Sequence, residues 1–287
     1  MDISWKLLLT LLLSNIVMGK ILFAEDFDTE EWKKTWVKSN WKNEKQAEFK
    51  HTEGTLAPKN FTKGLYTSQE TKYYVLSRKF KPALNLSESP LVLQHSVKYE
   101  DSIVCGNGFI KLFPPDYNAN ECGFETPALV TFGPDVCSTN NRIAVLLNHN
   151  GLGEMWRKKV EAPVDKLTHF FTLMLKHDGS YQLYVDAEPV AEGSIESEWQ
   201  VKAKEANWFN IGGIGIVIWQ SKAKMLFDNI LITDDLQQAL RIAKEFINRY
   251  RQEEVEIEER EKRIKEGRDK EFDILRSESN NTHLLDL

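Results

Sequence analysis

Hydrophobic and polar residues alternate with a period of two along much of this chain. Leu91, Leu93, His95, Val97 and Tyr99 take turns with Val92, Gln94, Ser96 and Lys98, the pattern of a strand with one apolar face. His95 on that face reads as a satisfied core histidine. Further strands are predicted at residues 20–27, 71–77, 142–148, 168–175, 181–185, 211–219 and 225–233, the last two as a closing pair. Between residues 175 and 181, Asp178-Gly179 marks a hairpin, because that dipeptide accepts the left-handed turn conformation. Many short strands at short intervals predict a β-sandwich or barrel.

The stretch from Cys105 to Cys137 is the most informative. Phe109, Lys111 and Phe113 fall on one face of a strand, with Ile110 and Leu112 on the other. Gly106 and Gly108 permit a tight turn or close backbone contact. Gly133-Pro134-Asp135 reads as a turn. Upstream, Trp32 and Trp36 have the spacing of one helical face or turn and are expected to cover the end of a sheet.

The period changes after residue 235. Leu236, Ala239, Leu240, Ala243, Phe246, Ile247 and Tyr250 recur at helical spacing, behind Asp234 as N-cap with Gln237 three residues on. That stripe is expected to pack on the sandwich. From Arg251 to Lys270 acids and bases interleave, which reads as a solvated extension of the helix. The predicted organisation is a signal peptide at 1–19, a globular β domain at 20–235, a charged helix at 236–272 and a disordered tail at 273–287.

Composition narrows the class. The net charge of -6 is spread along the chain, and no basic stripe for nucleic acid is present. Lys6, the apolar run 7–17 and Val17-Met18-Gly19 form a secretory signal with a small-residue cleavage site. The run is shorter than the ~20 residues of a membrane span, and no second run is longer, so no span is expected. A secretory route permits disulfides. Three cysteines allow three pairings, and the residues alone do not choose. Cys122 reads as a loop thiol, either inert or bridging to another molecule. Asn60, Asn85 and Asn280 head glycosylation sequons. No enzyme is predicted. Paired carboxylates across a glycosidic bond are missing from the strands, Glu254, Glu256 and Glu258 fall in the charged helix, and His149, His169 and His177 lack zinc-ligand spacing.

Five blocks, in order, resemble the calreticulin/calnexin family of endoplasmic-reticulum lectin chaperones, and calreticulins more than calnexins. They are Gly64-Leu65-Tyr66-Thr67-Ser68-Gln69, the run from Cys105 to Pro114, Phe132-Gly133-Pro134-Asp135-Val136-Cys137, Thr168-His169-Phe170-Phe171-Thr172-Leu173 and the run from Phe227 to Thr233. The resemblance covers roughly residues 21 to 238. It implies a mainly β, legume-lectin-like jelly-roll sandwich with a C-terminal helix, and a Cys105–Cys137 disulfide that leaves Cys122 free.

The resemblance also implies a concave-face site for a monoglucosylated oligomannose glycan, with Lys111, Asp135 and Trp219 matching family positions. Phe109 stands for a tyrosine and keeps the ring without its hydroxyl. Ala128, Thr131 and Val217 replace a tyrosine, a methionine and an aspartate. A lost charged hydrogen bond costs ~1.5–3 kcal/mol, so the site is expected to be degraded. A structural Ca2+ site is implied at Asp228, with backbone oxygens of Asp26, Phe61 and Lys63, an all-oxygen set suited to that ion. High-capacity calcium storage is not expected, because bases neutralise much of the acid in the tail.

Two family features are missing. Only residues 200–207 stand where a proline-rich arm is inserted, so no arm-recruited isomerase is expected. The final residues are not a KDEL-type retrieval signal, which leaves the endoplasmic-reticulum lumen or secretion as destinations. The resulting expectation is calcium-stabilised, chaperone-type binding of unfolded or partner proteins, through the sandwich surface and the apolar part of the helix. The alternatives are a lectin for an altered oligomannose-type glycan and a secreted protein-interaction module.

Overall fold

The computed structural model describes residues 19–202 and 208–283, with backbone alone from residue 271. The expected signal peptide up to Met18, the Asn280 side chain and the four final residues lie outside the described residues, as does the loop 203–207. The chain forms β1 (Ile21–Glu25), β2 (Val37–Lys38), β3 (Lys50–Thr52), β4 (Gly64–Tyr66), β5 (Lys72–Asn85), β6 (Leu91–Tyr99), β7 (Cys105–Asn107), β8 (Ile110–Phe113), β9 (Val130–Cys137), β10 (Asn140–His149), β11 (Leu152–Met155), β12 (Thr168–Leu175), β13 (Ser180–Val185), β14 (Glu188–Ser194), β15 (Asn210–Lys222) and β16 (Met225–Thr233). A short helix spans Ile195–Trp199, and a long one Leu236–His283.

Antiparallel pairing arranges the strands in two eight-stranded sheets. The first runs β14-β13-β12-β6-β16-β4-β3, with β1 beside β16. The second runs β11-β10-β9-β7-β15-β5-β2, with β8 also between β9 and β15. Side chains at every second position meet in the core between them. Leu93, Val97, Phe171 and Phe227 come from the first sheet, and Phe132, Val145, Ile214 and Ile216 from the second. This is the mainly β sandwich with a C-terminal helix that the alternation and the resemblance predicted. Among the described residues no helix is long and apolar enough to cross a membrane.

Several expectations are corrected. β15 and β16 do not pair with each other; they belong to opposite sheets and face each other across the core. Gly133-Pro134-Asp135 is no turn but the middle of β9. Gly133 has a φ of 148°, and a Cβ there would lie 2.0 Å from the Gly108 carbonyl oxygen, so glycine serves a close backbone approach. β6 is buried on both faces, because the long helix covers the side carrying Gln94, Ser96 and Lys98.

The helix stripe packs inward as predicted. Ala239 meets Val92 and Leu231, while Leu240 and Ala243 meet Phe170. That stripe is therefore not a free apolar surface for clients. The N-cap is Asp235, whose carboxylate accepts the Gln238 N–H at 3.2 Å; Asp234 instead accepts the Lys20 N–H at 2.6 Å. The helix continues to His283 through residues assigned to a disordered tail, since no proline follows Leu236 to stop it. Trp32 and Trp36 flank the end of a short 3-10 helix, Glu30–Lys34, and Trp36 is buried against Phe23 and Phe27.

Candidate functional site

Cys105 and Cys137 are directly opposite in the β7–β9 ladder and are joined as a disulfide. The crosslink closes the segment that carries most of the predicted sugar-site residues. On the outer face of the second sheet, Lys111 of β8 lies opposite Thr131 of β9 and Gly215 of β15. Val217 and Trp219 follow along β15. The tertiary structure thus brings Lys111, Thr131, Asp135, Val217 and Trp219 onto neighbouring strands, but it also covers Lys111 and Val217.

The cover is the segment between β8 and β9. Cys122, Tyr117 and Phe113 form one apolar cluster with Val75 and Val217, ringed by Trp41, Tyr73, Phe124 and Ala128. Trp41 holds the segment down, since a Cβ on Gly123 would lie 2.2 Å from its ring. The Asn40 N–H donates to the Asn120 carbonyl at 2.6 Å, and Lys42 pairs with Glu125 at 2.8 Å. Cys122 is fully buried, with its thiol 3.4 Å from Ser77 Oγ, and burial pushes its pKa up. An intermolecular disulfide at Cys122 is incompatible with that burial.

Lys111 shows the consequence most directly. It is buried, and its ammonium donates to the Phe124 carbonyl at 2.7 Å and the Gly123 carbonyl at 3.5 Å. The Phe124 ring lies 5.3 Å away. Burial lowers the pKa of Lys111 to about 8, against the upward pull of Cys122 and Glu125. Half-buried Asp135 accepts from Arg142 Nε and Nη2 at 3.2 and 3.1 Å and from Asn140 at 3.2 Å. Phe109 is buried and Trp219 half-buried. Arg142 had no signal in the sequence as the partner of Asp135; only the β9–β10 register sets it opposite.

The predicted calcium residues converge at the other sheet. Asp228 of β16 is buried, and its carboxylate accepts the Thr62 hydroxyl at 2.9 Å and the Asn229 N–H at 2.7 Å. Asp28 accepts the Lys63 N–H at 3.2 Å, and Asp26 accepts the Asp28 N–H at 3.2 Å. The 26–28 turn, the 61–63 segment and Asp228 therefore meet. Burial raises Asp228 well above the usual carboxylate range, and the charges of Asp28 and Asp26 add to it.

This arrangement fits a hard cation. Neutral donors alone hydrogen-bond the buried Asp228 carboxylate, two more carboxylates stand close, and backbone oxygens are the other donors available. Among the described residues no group of three or more His, Cys, Asp or Glu side chains could hold a metal by itself, so a cation here would depend on those backbone oxygens. Asp28 and Thr62 were missed by sequence reasoning, although the alternation Asp26-Phe27-Asp28 was a signal for the former.

The histidines do different work. His95 donates through Nε2 to the Gly108 carbonyl at 3.1 Å, while its Nδ1 has no hydrogen-bond partner. It is a core histidine only half satisfied. His169 bridges Asp165 and Asp186 at 2.8 Å each. Of the sequon asparagines, Asn60 and Asn85 are exposed.

Residues 23–204 match the sequence profile of the Calreticulin family. The calreticulin of Caenorhabditis elegans is 34% identical over 197 residues, which is 68% of this chain and 50% of that protein. The Drosophila melanogaster calreticulin is 33% identical over 189 residues, 65% of this chain and 46% of that protein. The chain spans about half the length of the curated relatives it matches. In fold it is similar to the T. cruzi calreticulin globular domain, with a TM-score of 0.79 and 27% identity, covering 85% of this chain and 100% of that one.

Proposed function

The chain belongs to the calreticulin family, and on that premise we propose that it binds unfolded or partner polypeptides in the secretory pathway, stabilised by one Ca2+ and without the family's sugar recognition. The observation that carries this reading is Lys111. Its ammonium, which the family resemblance assigns to sugar hydroxyls, is held by the carbonyls of Phe124 and Gly123 beneath a packed segment. A sugar would have to displace that segment and uncover Cys122, Val75 and Val217. Ala128 and Val217 would then offer it neither the hydroxyl nor the carboxylate found at the family's positions.

Calcium would be held by the Asp228 carboxylate and the backbone oxygens of Asp26, Phe61 and Lys63, with the charges of Asp26 and Asp28 nearby. Bound there, the ion supplies positive charge to a buried carboxylate and ties three chain segments together.

Three measurements test the reading. Calorimetric titration with a monoglucosylated oligomannose glycan in millimolar calcium should give no heat; micromolar binding would overturn the loss of sugar recognition. Added in excess, the protein should slow aggregation of a thermally unfolding, unglycosylated client, and unchanged light scattering would remove the chaperone assignment. Calcium should raise the melting temperature of the wild type but not of Asp228→Asn; equal shifts would place the ion elsewhere.

A further inference from the structure

The segment that borders the candidate calcium site is held on its other side by the C-terminal helix. Tyr250 donates its hydroxyl to the Asn60 carbonyl at 3.1 Å. Glu253 accepts the Lys59 N–H at 2.7 Å. The Phe61 ring stands edge-on to Phe246 and Tyr250, with centroids 5.7 and 5.0 Å away. In the next two residues, Thr62 reaches Asp228 and Lys63 reaches Asp28. Residues 59–63 are thus gripped by the helix at one end and by carboxylates at the other. Asn60 sits between them at a φ of 57°, a left-handed position that asparagine tolerates better than most residues.

We propose that Tyr250 and Glu253 are positioning residues for calcium, holding the 59–63 segment so that its backbone oxygens are arranged before the ion arrives. The proposal rests on the calcium reading above. A cage built largely from backbone oxygens owes its affinity to how rigidly they are held. Since the same segment contacts the helix, cation binding and helix docking favour each other, and linkage requires that each changes the other by the same factor. The C-terminal helix becomes part of the cation site without contributing a ligand.

The test uses the full chain stripped of metal with a chelator and titrated with Ca2+ by calorimetry. Tyr250→Phe removes one hydrogen bond from Asn60 and should weaken binding about two- to tenfold. Glu253→Ala should weaken it about twofold, because the freed Lys59 N–H is exposed and finds water; Glu253→Gln keeps an acceptor oxygen and should restore wild-type affinity. A second readout separates positioning from general stability. Amide hydrogen exchange across residues 236–258 should slow on adding Ca2+ to the wild type, and slow less in Tyr250→Phe. Wild-type affinity in both Tyr250→Phe and Glu253→Ala, or helix exchange indifferent to Ca2+, would overturn the proposal while leaving the site itself intact. A wild-type chain that binds no Ca2+ would overturn both.

Discussion

The outer face of the first sheet lies under a helix, and that of the second lies under a loop. The helix side is anchored by side-chain ions. Lys98 and Glu254 pair at 2.9 Å with both side chains 2% exposed, and Thr168 adds its hydroxyl and N–H to the carboxylate. Nearby, Asp186 takes both His169 and Arg251. The loop side has a buried ammonium without a carboxylate; Lys111 is met by backbone carbonyls and a phenyl ring. The reason lies in the backbone. A helix spends most of its carbonyls within itself and docks chiefly through side chains; the Ala239 carbonyl, which also accepts from Gln94 Nε2 at 2.8 Å, is an exception. An irregular segment has carbonyls to spare, and a buried polar group needs a partner from somewhere.

The largest effect should come from breaking the ion pair. Lys98→Met leaves Glu254 charged in a buried place and should cost ~3–5 kcal/mol in chemical denaturation, whereas Lys98→Met with Glu254→Leu should recover most of it. A single variant near wild-type stability would show that the helix is held by its apolar stripe alone.

The next effect is in the pH dependence, where the two faces differ in sign. Burial alone would lower His169, but the hydrogen bonds to Asp165 and Asp186 outweigh it and raise the pKa to about 9. Its contribution, about 3 kcal/mol by linkage, is complete below pH ~6.5 and lost as pH rises through 9. Burial holds Lys111 at about 8, so the unfolded chain binds more protons from there to ~10.4, and the loop side gains stability over that range. In the core, burial takes His95 to about 4, partly opposed by the Gly108 carbonyl. Its contribution is complete above ~6.5 and lost as pH falls through 4. Urea denaturation from pH 4 to 10 would separate these. His169→Gln should remove the alkaline loss, and an unchanged profile would refute its role.

The smallest effect sharpens the contrast. Lys111→Met unburies no charge partner and removes a costly ammonium, while leaving two carbonyls short of a donor. These terms oppose, and stability at pH 7 should change by no more than ~1 kcal/mol. A loss as large as that of Lys98→Met would mean that the loop depends on its buried lysine as the helix does on its ion pair.

Alternation along residues 91–99 was enough to predict β6, the run 168–175 before the Asp178-Gly179 turn β12, and the stripe from Leu236 to Tyr250 the helix that docks on them. The ordered blocks around Cys105, Asp135 and Asp228 were enough for the family and the sandwich. These are periodic or contiguous features, and local backbone geometry is what produces them. Whatever depended on which surface covers which was decided only in three dimensions. Gln94, Ser96 and Lys98 read as the polar side of a strand, and they are buried because a helix more than a hundred residues later lies on them; Lys98 and Glu254 are 156 positions apart. Cys122 read as a loop thiol, and it is sealed because Trp41 and the outer face of β15 close around its segment. A period of two states that a strand has two faces; it carries no information on what the folded chain places against either one.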